Sequence, residues 1–293
     1  MERKKVVFII NPLSGLGRHR VVEKLVEKHI DKTIYDYYVK YISPSMNMES
    51  LARLAAEDGC NVVVAVGGDG SVNAVARGIF GTKATLGIIP VGSGNGLANF
   101  LGISLHIKEA LEVLNEHHTM LIDTLMVEGE RVLSIAGVGY DAVIAEKMKR
   151  TKIRGFAAYM RFAIEAFVRY KPKYYKIEYG EKKITTKALF IAFANSNQFG
   201  YRRPISPDAK IDDGLMNVCI VEKPPVYLVS WVGFNLFFHH HLFGTQYIKS
   251  FTTDRVKISQ RKARIMNIDG EAVKMPKVFT IEVEPKSISV IVP

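Results

Sequence analysis

The chain has 293 residues, enough for one large domain or two ordinary ones. Hydrophobic residues make up 48% and charged residues 24%, the balance of a folded globular protein rather than a disordered one. A net charge of +11 favours an anionic partner (nucleic acid, an anionic membrane surface or a polyphosphate), while two cysteines, Cys60 and Cys219, exclude a disulfide framework.

Both cysteines sit in apolar surroundings and read as buried reduced thiols, a pattern that suits the cytoplasm. The basic start, Met1 to Lys5, leads into the apolar run Val6–Ile10, halted by Asn11-Pro12. Five residues are too few for a signal-peptide core or a membrane span. The aromatic-rich stretch Val226–Phe238 is interrupted by Ser230 and Asn235, so no segment is expected to cross a bilayer.

In chain order, Val6–Ile10 predicts a strand and Arg18–Lys28 a helix, with Val21, Val22, Leu25 and Val26 at helical spacing. Tyr35–Ile42 and Met48–Asp58 repeat the pair. Val62–Val66 is a strand followed by a helix through Val72–Ile79, and Leu86–Ile89 a strand followed by helices around Leu97 and over Ile107–Asn115. Strands that are continuously apolar and alternate with helices predict a parallel sheet covered on both faces. After about Asp123 the pattern changes. Thr124–Val127, Val132–Val138, Tyr174–Tyr179, Ala188–Ala194, Leu215–Val221, Arg255–Ser259 and Val278–Val283 read as strands, interrupted by helices near Ile153–Tyr170 and Tyr227–Phe243. The expected fold is thus a three-layer, Rossmann-like α/β domain over 1–123 and a β-rich, antiparallel, sandwich-like domain over 124–293. A nucleotide crevice is expected between them, and the last strands are left open to pack back on the first domain.

Three glycine-bearing turns each follow a predicted parallel strand: Asn11-Pro-Leu-Ser-Gly-Leu-Gly17, Gly67-Gly-Asp-Gly-Ser-Val-Asn73 and Pro90-Val-Gly-Ser-Gly-Asn-Gly96. Ligands of open α/β sheets bind outside the carboxyl ends of the strands, where these turns would converge. Glycine lets backbone N–H groups approach phosphate oxygens, and a following helix start adds positive potential. Ser14, Ser71 and Ser93 are placed either to donate to phosphate or to cap the next helix. The Walker pattern GxxxxGK(S/T) and the HRD and DFG signatures of protein kinases are absent, and neither Gly15-Leu-Gly17 nor Gly92-Ser-Gly94-Asn-Gly96 fits GxGxxG. Phosphate charge would fall to amides, a metal and Arg18 or Arg20.

Gly67-Gly-Asp-Gly-Ser with Asn73, preceded by Asn11-Pro and followed by the Pro90 loop, resembles the diacylglycerol kinase catalytic domain family, which includes bacterial lipid kinases and the sphingosine and ceramide kinases. The resemblance covers nearly the whole chain. It implies an ATP- and Mg²⁺-dependent lipid kinase with nucleotide contacts at Asn11, Ser14, Ser43, Gly67, Gly68, Asp69, Gly70, Ser71, Asn73, Gly92 and Ser93. Gly92-Ser-Gly-Asn-Gly-Leu-Ala98 departs from the usual bacterial GT-x-N-D pattern and looks like the sphingosine and ceramide kinase version, which leaves the acceptor lipid open.

Asp212-Asp213-Gly214, read alone, is a turn. The resemblance makes it a magnesium site, with Asp212, Leu215 and Asn217 as ligands, the latter two through backbone carbonyls. Ile268-Asp-Gly-Glu271 reads as a hairpin with Asp-Gly at its tip. The resemblance places a general base here, Asp269 first, with Glu271 close behind and Asp69 holding the metal or orienting the nucleophile.

The basic runs Lys147–Arg154 and Tyr201–Arg203, and the aromatic stripe of Trp231, Phe234, Phe237, Phe238 and Phe243, are candidates for peripheral contact with an anionic membrane. Adjacent His239, His240 and His241 point in different directions on a helix and make a poor metal site. No RNP, KH or zinc-finger pattern supports nucleic-acid binding. The alternatives are a sphingosine- or ceramide-type lipid kinase, or an NAD-kinase-like enzyme acting on a soluble hydroxyl. Oligomeric state stays open, a homodimer included.

Overall fold

The computed structural model describes residues 3–12, 19–43, 46–151, 156–197, 206, 208–225 and 247–293. The chain forms two compact units, one of residues 1–122 with 286–293 and one of residues 123–285.

In the first unit β1 (Lys4–Ile10), α1 (His19–His29), β2 (Tyr35–Tyr41), α2 (Met48–Glu57), β3 (Val62–Gly67), α3 (Asp69–Ile79), β4 (Thr85–Pro90), α4 (Gly96–Phe100) and α5 (Ile107–Glu116) alternate strand with helix. The four strands run parallel in the order β2-β1-β3-β4. Phe8, Ile9, Ile10 and every residue of Val62–Val66 are sealed from solvent, which is why these strands carry apolar side chains on both faces. Helices α2 and α3 pack on each other and on the sheet. At Gly78 a Cβ would stand 2.4 Å from Glu49 O, so the close crossing of the two helices requires glycine.

The second unit contains β6 (Glu130–Val132), β7 (Ile135–Gly139), α6 (Tyr140–Arg150), α7 (Phe156–Arg169), β8 (Lys173–Tyr179), β9 (Lys182–Ala188), β10 (Phe190–Ala194), β11 (Met216–Val221), β12 (Ile248–Thr253), β13 (Arg255–Gln260), β14 (Arg264–Ile268) and β15 (Glu271–Met275). It also holds the larger parts of β5 (Thr119–Val127) and β16 (Val278–Ile291). Six strands form an antiparallel sheet in the order β12-β11-β10-β7-β14-β15. A second antiparallel set places β13 between β8 and the first half of β16, with β9 beyond β8. Leu125, Val138, Phe193, Val218, Ile258, Met266 and Phe279 from both sets share one core, the arrangement of a β-sandwich.

The α/β and β-rich architectures are those the sequence predicts, with local differences. The strand expected over Val132–Val138 is broken at Leu133–Ser134, whose amides turn away to a side chain described below. Tyr140–Arg150, of which the sequence singles out only Lys147–Arg150 as part of the basic run Lys147–Arg154, form α6. Cys219 is buried as expected, whereas Cys60 is half-buried; neither is in a disulfide.

Candidate active site

Parallel pairing sets the strand exits of the first unit side by side. Ile42 N–H donates to Ile10 O (3.2 Å), Asn11 N–H to Val66 O (3.3 Å) and Val91 N–H to Gly67 O (2.9 Å). Asn11, Ser43, Gly68 and Gly92 therefore lie along one edge of the sheet. Ser43 is braced there by an exchange of backbone bonds with Met46.

The second and third turns touch backbone to backbone. A Cβ on Gly92 would stand 2.3 Å from Gly68 Cα, and one on Gly68 would stand 3.1 Å from Gly92 Cα. Asp69 reinforces the junction: its Oδ1 accepts the Gly96 N–H at 2.6 Å. Burial pushes the Asp69 carboxyl above its usual range, opposed by the amides of Gly96, Leu97 and Asn95. Asn95, in the left-handed region at φ 51°, donates from Nδ2 to Gly92 O at 2.8 Å. Its Oδ1 is buried and has no hydrogen-bond partner among the described residues.

The turn Gly67–Asn73 is less of a loop than its glycines suggest. Helix α3 already begins at Asp69, with Gly68 as its N-cap. Ser71 and Asn73 are consequently buried in the helix, and Ser71 does not cap it. Gly70 is exposed on the first turn with open space around it. Gly92 is half-buried and Ser93 exposed.

In the second unit, Asp269 and Gly270 close the β14–β15 hairpin with φ of 49° and 93°, a two-residue turn of the kind Asp-Gly favours. The Asp269 side chain faces the start of β7. Its Oδ2 accepts Leu133 N–H at 2.8 Å, and its Oδ1 accepts Ser134 N–H and Ile135 N–H, both at 2.9 Å. Glu271, the next carboxylate, is exposed.

The loop carrying Asp212 is held by a buried acid, Asp123, whose Oδ2 accepts Gly214 N–H at 2.7 Å. Asp213 Oδ1 accepts Leu215 N–H at 3.0 Å. Asp212 and Leu215 are exposed, while Asn217 lies half-buried in β11. Asn195, buried at the end of β10, donates from Nδ2 to Asp123 O (2.8 Å) and Leu133 O (2.7 Å). Among the described residues no group of three or more His, Cys, Asp or Glu side chains is gathered to hold a metal.

Residues 5–127 match the model of the diacylglycerol kinase catalytic domain, and residues 134–292 match that of the YegS C-terminal NAD kinase beta sandwich-like domain. The chain belongs to the diacylglycerol kinase family of lipid kinases. Within that family it is 26% identical over 280 residues to a diacylglycerol kinase of Bacillus subtilis, covering 92% of this chain and 90% of the relative. A diacylglycerol kinase of Staphylococcus aureus is 29% identical over 228 residues, 75% of this chain and 71% of that one. The crystal structure of a diacylglycerol kinase from Bacillus anthracis shares the fold, with a TM-score of 0.75 and 18% identity over 100% of this chain and 98% of that one.

Ser14, Arg18, Tyr201–Arg203, the aromatic stripe from Trp231 to Phe243 and His239–His241 lie outside the described residues, as does the Arg20 side chain. Lys147, from the first basic run, pairs with Glu165 at 3.2 Å. No helix among the described residues is long and apolar enough to cross a membrane. Asp123, Asp141, Asn195 and Asn267, all buried, belong to no motif that the sequence displays. Their one signal is a polar side chain inside or beside an apolar strand, where an unpartnered one would be costly.

Proposed function

We propose that this family member is an ATP- and Mg²⁺-dependent kinase that transfers the γ-phosphate to a hydroxyl of diacylglycerol or a related membrane lipid. The observation that carries the reading is the backbone contact between Gly68 and Gly92 at the carboxyl edge of the parallel sheet, locked by Asp69. Two turns without side chains at their junction, one of them opening α3, offer amide donors and positive potential to a phosphate chain. Asn11, Ser43, Gly67–Asn73, Gly92 and Ser93, with Ser14, are the proposed nucleotide contacts.

Glu271 is the proposed general base, accepting the lipid hydroxyl proton as its oxygen attacks phosphorus. Asp269, first choice from sequence, commits both carboxylate oxygens to three backbone amides, whereas Glu271 is exposed on the same turn. Phosphoryl transfer mostly needs alignment and charge neutralisation, so most of the work falls to the loops.

For Mg²⁺ the donor chemistry fits. Asp212 contributes an exposed carboxylate, and Leu215 and Asn217 contribute carbonyl oxygens, on a loop tied down through Gly214 and Leu215 N–H. Magnesium bound with the nucleotide would neutralise phosphate charge. The net charge of +11 supports peripheral contact with anionic lipid, with each nearby Lys or Arg contributing about 1 kcal/mol.

The deciding experiment is transfer of radiolabelled γ-phosphate into a panel of detergent-dispersed lipids, separated by thin-layer chromatography, with NAD alongside. Label in diacylglycerol supports the proposal and label in sphingosine or ceramide moves the acceptor. Label in NAD alone, or in nothing, overturns it.

A further inference from the structure

Behind the Asp269–Gly270 turn lies a buried polar pair that the reaction scheme leaves unused. Asn267, on β14, accepts Gly270 N–H through Oδ1 at 2.9 Å and donates from Nδ2 to Asp141 Oδ2 at 2.8 Å. One side-chain amide thus spans the turn and a carboxylate on another element. Both residues are buried, Asn267 at 6% and Asp141 at 5% exposure.

The backbone is shaped to admit this carboxylate. Gly139 ends β7 at φ 103°, and α6 starts at the next residue, which sets Asp141 in its first turn. A Cβ on Gly137 would stand 2.5 Å from Asp141 Oδ2, so the acid occupies the space a side chain would take on β7. Helix α6 packs along β7 and along β14 and β15, the two arms of the hairpin. Stability alone gives no reason to bury a carboxylate, since an apolar pair of similar volume serves at least as well.

We propose that Asp141 and Asn267 are positioning residues that fix the Asp269-Gly270-Glu271 turn, and hence the direction in which Glu271 presents its carboxylate. The proposal rests on the reading of Glu271 as the base. Asn267 holds the Gly270 amide from inside the hairpin while Asp269 binds the start of β7, so the turn is anchored at two successive residues. Asp141 and Gly270 select the same orientation of the Asn267 amide, the carboxylate accepting from its NH₂ end and the Gly270 N–H donating to its oxygen.

The test compares Asn267→Ala, which removes both bonds, with Asp141→Asn, which keeps an acceptor for Asn267. Asn267→Ala should lower kcat for lipid phosphorylation ten- to a hundredfold with KM for ATP unchanged, and Asp141→Asn should lose much less. Amide hydrogen exchange over 268–272 supplies a readout independent of turnover. Exchange at Gly270 and Glu271 should speed at least tenfold in Asn267→Ala, while the strands of the first unit keep wild-type protection. Retained kcat, a parallel rise in KM for ATP, or unchanged exchange at Gly270 in folded Asn267→Ala would overturn the proposal. If the wild type phosphorylates no lipid, the reaction reading fails by itself, and the exchange measurement still decides whether the pair holds the turn.

Discussion

Asp69 Oδ1 and Gly96 N–H, 27 positions apart in sequence, meet at 2.6 Å and join the turns that follow β3 and β4. Asp69→Ala leaves that amide without its acceptor, at a cost of about 1–3 kcal/mol. The expected outcome is a melting temperature several degrees lower and at least a tenfold weaker ATP affinity. Asp69→Asn keeps an acceptor oxygen and should recover most of the stability. Equal melting temperatures for wild type and Asp69→Ala would show that the two loops hold together without it.

Gly70 and Gly92 should respond to alanine in opposite ways. Gly70 has no neighbour within 4 Å of a Cβ and lies on the first turn of α3, so Gly70→Ala should raise stability by up to ~1 kcal/mol. The same methyl would stand in the way of a phosphate, and KM for ATP should rise tenfold or more. In Gly92→Ala the methyl collides with Gly68 backbone, and both stability and nucleotide binding should fall. Thermal unfolding with and without ATP checks both; a Gly70→Ala variant with normal ATP affinity would remove that turn from the site.

The two acids of the hairpin should separate in the same manner. Asp269→Ala strands three backbone amides and should cost several kcal/mol in urea unfolding. Glu271→Gln, at an exposed position, should leave the unfolding midpoint within about 0.5 kcal/mol of wild type and lower kcat by roughly two to four orders of magnitude. Unimpaired turnover in Glu271→Gln would return the role of base to another carboxylate.

Burial pushes the Asp141 carboxyl up to about 6 from an ordinary 3.8, with the Asn267 amide pulling the other way. The folded protein therefore keeps this proton at pH values where the unfolded chain has lost it. The group's contribution to stability is fully present below about pH 4 and is lost as pH rises through 6. At ~1.4 kcal/mol per pKa unit, Asp141→Asn should gain about 2 kcal/mol over wild type between pH 4.5 and 7.5. Urea unfolding at the two pH values measures this; parallel pH dependence in the two proteins would show that Asp141 does not titrate in that window.

Much of this molecule can be read from its residues because its parallel strands are buried on both faces. Val62–Val66 and Leu86–Ile89 announce themselves as unbroken apolar runs, and the glycine turns stand at their ends. Asp-Gly at 269–270 likewise specifies its hairpin, since both residues adopt positive φ. The function of the Asp269 side chain is not legible in this way. Its partners, Leu133 to Ile135, lie more than 130 positions away and contribute only main-chain amides, which leave no mark on sequence. The start of α3 was concealed for a related reason: Asp69-Gly-Ser looks like loop until the neighbouring Gly92 backbone shows why glycine is needed at 68.

The return of residues 286–293 to the first unit means that this unit is not one continuous piece of chain, whereas the second, 123–285, is. Val290 stands against Leu86, the Thr85 hydroxyl bonds to Ser289 Oγ at 3.2 Å, and Ile288, Val290 and Ile291 are all buried. An excised 1–122 fragment would expose the β4 flank as an unprotected strand edge and invite self-association. A fragment in which residues 286–293 are supplied through a short engineered linker should instead stay monodisperse, so the first unit could be studied by itself only in that spliced form.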